Sequence, residues 1–86
     1  MTETKQSIIE HLCYTDLVFK RINKKLSVNF SNDRIEIFIK ETLESTDKRF
    51  FSKKGKNFYI TNSDKNIRIT INSNTFRVIT VDKIVR

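Results

Sequence analysis

The chain reads as an α+β domain, with two to three N-terminal helices packed on one face of a four-stranded antiparallel meander. Three observations predict this. Apolar residues recur at helical spacing up to residue 45, and from residue 48 they switch to alternate positions. Turn-forming residues punctuate the second half at Lys54-Gly55, Asn62–Lys65 and Ser73-Asn74. Strands centred on those turns, each placed independently, share one apolar face of Phe51, Phe58, Ile60, Ile67, Ile69, Ile71, Phe76 and Val78. Residues 1–86 therefore read as a single domain, helical over 1–45 and sheet over 48–82.

The first helix is expected over residues 4–13, where Ile8, Ile9, Leu12 and Cys13 make a short apolar stripe. Thr15 and Asp16 look like a fresh N-cap, opening a second helix marked by Leu17, Val18, Ile22 and Leu26; the spacing equally allows one bent helix. Lys20, Arg21, Lys24 and Lys25 form its wet side, the later ones suited to the negative helix end. After an extended connector at Val28–Phe30, Ser31 or Asn32 caps a third helix with the stripe Ile35, Phe38, Ile39 and Leu43. Ile37, off that stripe, is expected against the first helices. Strands follow at residues 49–53, 56–61, 66–72 and 75–82, and Gly55 sits where a tight hairpin needs a positive φ. Turn centring pairs Phe51 with Phe58, Ser52 with Asn57, Ile60 with Ile67, Tyr59 with Arg68, Ile71 with Phe76, Thr70 with Arg77 and Ile69 with Val78. Ile79 and Val81 break the alternation, and a bulge near Val78–Thr80 would restore it.

With 86 residues, seven Phe, no proline and one glycine, the chain is long enough for one modest core and too apolar for low-complexity disorder. Its net charge of +7 is segregated: residues 1–44 carry seven basic and seven acidic side chains, residues 45–86 ten basic and three acidic. A basic sheet half predicts a polyanionic partner, most simply nucleic acid. Cys13 is alone, which excludes an intramolecular disulfide, and its apolar neighbours predict a buried thiol. No apolar leader or membrane-length run is visible, so a cytoplasmic protein without membrane association is expected.

The face opposite the apolar one is expected to present Asn57, Tyr59, Arg68, Thr70 and Arg77, with Lys53, Lys54 and Lys56 at the hairpin rim. Each alone is ordinary on a solvated sheet. Together, two guanidinium forks near a phenol suit a phosphate and a stacked base. With one Cys and one His there is no zinc set, the basic half lacks paired carboxylates for magnesium, and no glycine-rich phosphate loop exists, so neither metal nor cofactor is expected. Metal-free RNA cleavage would need Tyr59 or Lys56 to move protons while Arg68 and Arg77 hold the phosphate.

The runs CYTDLVFKRINKKL (Cys13–Leu26), KKGKNFYITN (Lys53–Asn62) and IRITINSNTFRVITVDKI (Ile67–Ile84) resemble a family of small, standalone bacterial proteins of unknown function. More remotely, helices followed by a basic meander ending in Arg-Val-Ile-Thr resemble the barnase–EndoU–colicin–RelE-like ribonucleases. That resemblance implies an RNA-binding domain of ribonuclease-toxin-like fold, extending to a metal-independent endoribonuclease, with Lys56, Tyr59, Arg68, Arg77 and Thr80 at the matching positions. The sheet lacks a histidine or glutamate, so RNA binding carries over more directly than cleavage. RNA is expected before DNA as the partner, together with a protein partner such as an antitoxin or target complex. The alternative is a non-enzymatic regulator or inhibitor from a mobile element, docking through a sheet edge and outward Ile79 and Val81. The sequence leaves the oligomeric state open.

Overall fold

The computed structural model describes residues 4–84. Three helices, α1 (Thr4–His11), α2 (Asp16–Leu26) and α3 (Asn32–Ser45), precede a 3-10 turn at Lys48–Phe50 and four strands, β1 (Phe51–Lys54), β2 (Asn57–Asn62), β3 (Ile67–Asn72) and β4 (Val78–Lys83). The strands form one antiparallel sheet in sequential order, the layout that the sequence predicts.

Side chains and turn geometry mark the helix ends. Thr15 accepts a hydrogen bond from the Val18 N–H at the start of α2, and Ser31 accepts one from the Arg34 N–H at the start of α3. α2 stops at Ser27, which adopts a left-handed φ of 57°, while the Val28 N–H donates back to Asn23 O. The Asn23 amide then donates to Phe30 O and accepts from the Phe30 N–H, both at 3.0 Å, and so closes the connector to α3. α1 and α2 are separate elements. Between them Cys13 pairs with the approach to β4, its N–H donating to Phe76 O and its carbonyl accepting from the Val78 N–H, both at 2.9 Å. This strand-like geometry turns Leu12 and Tyr14 toward the core and leaves Cys13 exposed, correcting the buried thiol expected.

The register differs from simple turn centring. β1 and β2 turn on Gly55-Lys56, so Phe51 pairs with Ile60 and Ser52 with Tyr59. Gly55 takes a φ of 60° at the first central position, as a type II′ hairpin demands. β2 and β3 are joined by residues 63–66, closing on Asn66 at φ 55°, so Ile60 pairs with Ile69 and Tyr59 with Thr70 rather than with Ile67 and Arg68. Both corrections move a partner by two residues, which matches the strand period and leaves every side chain on its face. The last turn is longer than Ser73-Asn74. Asn72 Oδ1 accepts from the Asn74 and Thr75 N–H groups, and Phe76, at φ 58°, donates its N–H to Asn72 O. Val78 therefore faces Ile71, and the bulge expected in β4 falls at Ile79, because Thr80 already pairs with Thr70. Val81 turns inward and is fully buried, so the outward Val81 of the docking alternative is not observed.

One apolar cluster joins Ile8, Val18, Phe19, Ile22, Leu26, Ile35, Ile39 and Leu43 of the helices to Ile60, Ile67, Ile69, Ile71, Val78 and Val81 of the sheet. Ile37 stays 56% exposed, because the buried side of α3 is set by Ile35, Ile39, Thr42 and Leu43, but it faces the first helix as expected, lining a hollow with Ile9, Leu12 and Tyr14. At the end of α3 a polar chain crosses between layers: Asn62 Nδ2 donates to Thr46 Oγ1 at 2.8 Å, Thr46 Oγ1 donates to Thr42 O, and Lys65 Nζ donates to Thr42 Oγ1 at 2.8 Å. No helix among the described residues is long and apolar enough to cross a membrane.

Two substitutions test this packing. A Cβ on Gly55 would meet nothing within 4 Å, so Gly55→Ala should destabilise through backbone strain alone, by about 1–2 kcal/mol in urea denaturation. Tyr14 stacks on Phe19 at 5.3 Å, and burial, with the Glu36 carboxylate adding to it, pushes its phenol well above the ordinary value. The unfolded chain then releases this proton first, so stability is complete below about pH 10 and falls as pH rises beyond it. Tyr14→Phe should flatten that alkaline loss when melting is compared on either side of pH 10.

Candidate nucleic-acid interface

Strand alternation divides the sheet into a helix-covered side and an open side. The open side is built from cross-strand rows. Ser52, Tyr59, Thr70 and Thr80 form the middle row. Thr61, Arg68 and Asp82 lie on one side of it, and Lys54, Asn57 and Asn72 on the other. Arg77 continues this last row, since its carbonyl accepts from the Asn72 N–H and its exposed side chain follows the outward alternation from buried Val78. Lys56 joins the same end, because its carbonyl accepts from the Ser73 N–H at 2.8 Å and so ties the first hairpin to the last turn.

Arg68 and Arg77 thus share a face, but Arg77 lies outside the depression that Arg68 lines. Arg77 is level with Asn72, four residues along β3 from Arg68, a separation of roughly 13 Å at the usual strand rise. Tyr59 and Arg68 do come together: with Ser52, Lys54 and Thr61 they line one shallow depression of about 390 Å³. The Tyr59 hydroxyl accepts from Asn57 Nδ2 at 3.4 Å, a long bond that links the phenol to its neighbour on the same face. Thr70 is only 7% exposed and the Thr80 hydroxyl is enclosed without a hydrogen-bond partner among the described residues, so these two form the floor of the face rather than its contact surface. Lys53 pairs with inward Phe58 and lines a hollow with Thr4, Lys5 and Phe51 on the helix-covered side. Its placement at the open rim is therefore corrected, again by the period of two.

Among the described residues, none of Lys54, Lys56, Arg68 and Arg77 is ion-paired with a carboxylate. The carboxylate on this face, Asp82, is paired instead with Lys25 of α2 at 3.0 Å. Arg21, one turn earlier, donates from Nη1 to the carbonyl of the bulged Ile79 at 3.3 Å. The basic flank of α2 therefore borders the open face along β4. The sequence reading missed this contribution, as it missed Thr61 and Ser52 on the depression. Its signal was present: Arg21 and Lys25 are four apart, immediately beside the apolar stripe of Val18 and Ile22 rather than opposite it. His11 stands apart, its ring tilted at 36° against Phe76 with centroids 5.4 Å apart and Nδ1 against Ser7 O.

These features define a class of small α+β domain in which three helices roof one side of a four-stranded meander and the other side is open and basic. Over residues 6–82 the chain matches the family described as protein of unknown function (DUF3781), and it belongs to that family. No curated protein and no solved structure matches it.

Proposed function

We propose that the protein binds single-stranded RNA across the open face of its sheet. The observation that carries this reading is the depression in which the half-buried Tyr59 lies beside Arg68 and Lys54, on a face whose basic groups lack carboxylate partners among the described residues. An aromatic plane in a cationic groove is the arrangement that stacks successive bases with little sequence preference. The spacing of Arg68 and Arg77 suits different phosphates of one strand, which position the chain along the sheet. Ser52 and Thr61 bring hydroxyls to the same depression, chemistry able to engage a ribose 2′-hydroxyl, so RNA is favoured over DNA. A cleavage step is not part of the proposal, because the sheet half carries no histidine or glutamate to serve as general base.

Fluorescence anisotropy with a labelled single-stranded RNA tests the reading. Tyr59→Ala should weaken binding by about 1–3 kcal/mol. Arg68→Ala and Arg77→Ala should each weaken it and reduce the salt slope by about 0.7, the contribution of one phosphate on a single strand. Lys53→Ala, on the helix-covered side, should change affinity much less. A flat salt response, or equal loss from Lys53→Ala and Arg68→Ala, would refute RNA binding on this face.

A further inference from the structure

On the side of the molecule where α2 ends, a groove of about 600 Å³ runs between the helical layer and the sheet. Its walls are apolar: Leu26, Val28 and Phe30 from the end of α2 and its connector, Phe38 from α3, Ile67 from β3 and Ile84 after β4. This volume falls within the roughly 300–1,000 Å³ of ordinary ligand clefts, yet the groove is open along the surface rather than enclosed. The Phe30 and Phe38 rings are packed 6.2 Å apart, which gives the groove a firm aromatic wall.

Among the described residues, charge at this groove has one sign: the charged side chains lining it are Lys65 and Lys83. Lys65 is held in place, its ammonium 4.8 Å over the Phe38 ring and donating to Thr42 Oγ1 at 2.8 Å. An ammonium has three donors, so the group keeps capacity for an incoming anion. Lys83 is exposed and makes no side-chain hydrogen bond or ion pair among the described residues. We infer that this groove docks a short amphipathic segment of a partner protein, apolar on the side that enters and acidic along the side that meets Lys65 and Lys83. Charge complementarity selects the acidic flank, and openness selects a protein segment over a free alkyl chain, which would leave much of its own surface wet. Helix-in-groove recognition is the mode that such a surface serves. This site is distinct from the open sheet face, and its occupancy does not depend on whether RNA binds there.

The test uses the full chain, isotope-labelled for amide NMR, and two synthetic helical peptides with the same leucine stripe, one flanked by glutamates and the other by lysines. The glutamate peptide should shift the amides of Val28, Phe30, Asn66 and Ile84 and should bind about tenfold tighter than its lysine twin. Lys83→Glu, a surface change that leaves Lys65 on Thr42, should weaken the glutamate peptide and strengthen the lysine one. Equal binding of the two peptides, no binding of either, or shifts centred on Tyr59 and Arg68 would overturn the inference. So would concentration-dependent shifts at the groove residues without peptide, accompanied by dimers in light scattering, since a second copy would then be the occupant.

Discussion

The extra residue in β4 is the constraint on which the two faces depend. Without Ile79 as a bulge, strict alternation from Val78 would send Val81 to solvent and Asp82 into the core, exposing an apolar side chain and burying a carboxylate. With the bulge, Val78 and Val81 are both buried and Asp82 reaches the open face, where Lys25 neutralises it. The bulged carbonyl is met by Arg21, so the helix that packs along β4 also satisfies the irregularity in it. One local insertion therefore joins core packing, the docking of α2 and the charge pattern of the outer surface.

The opposite end of the sheet is fixed by polar rather than apolar contacts. Asn62 lies on the helix-covered side, 6% exposed, and is usable there because its amide meets Thr46 Oγ1 and its carbonyl oxygen accepts from the Lys65 N–H. Removing one partner would leave a buried polar group unsatisfied, at a cost of about 1–3 kcal/mol. The same chain holds Lys65 beside the apolar groove, so a structural network also orients a surface cation. Stability and surface chemistry share these residues.

Much of this was legible because side-chain parity survives errors in turn length. The β1–β2 and β2–β3 turns were each centred wrongly, yet Tyr59, Arg68 and Thr70 came out on the correct face, since both errors displaced partners by two. The turn lengths themselves were not legible: Asn66 and Phe76 take positive φ without being glycine, and Phe76 does so while held between His11 and Phe58. What partners bring to a residue was also hidden. Cys13 is apolar in sequence context but lies outward in a strand-like bridge, and Arg21 and Lys25 acquire meaning only once α2 is laid along β4. The level of Arg77 followed from the long final turn, which sets it four residues along β3 from Arg68 and outside the depression beside Tyr59.

The central claim is that the open side of the sheet, bordered by α2, is where a nucleic-acid strand lies. Amide NMR of the protein with a short single-stranded RNA at low salt reads that location directly. The account predicts shifts at Ser52, Lys54, Tyr59, Thr61, Arg68 and Arg77, extending to Arg21 and Lys25, with Lys53 and the amides of α3 unmoved. Shifts centred on the helical layer, or none at low salt, would contradict it.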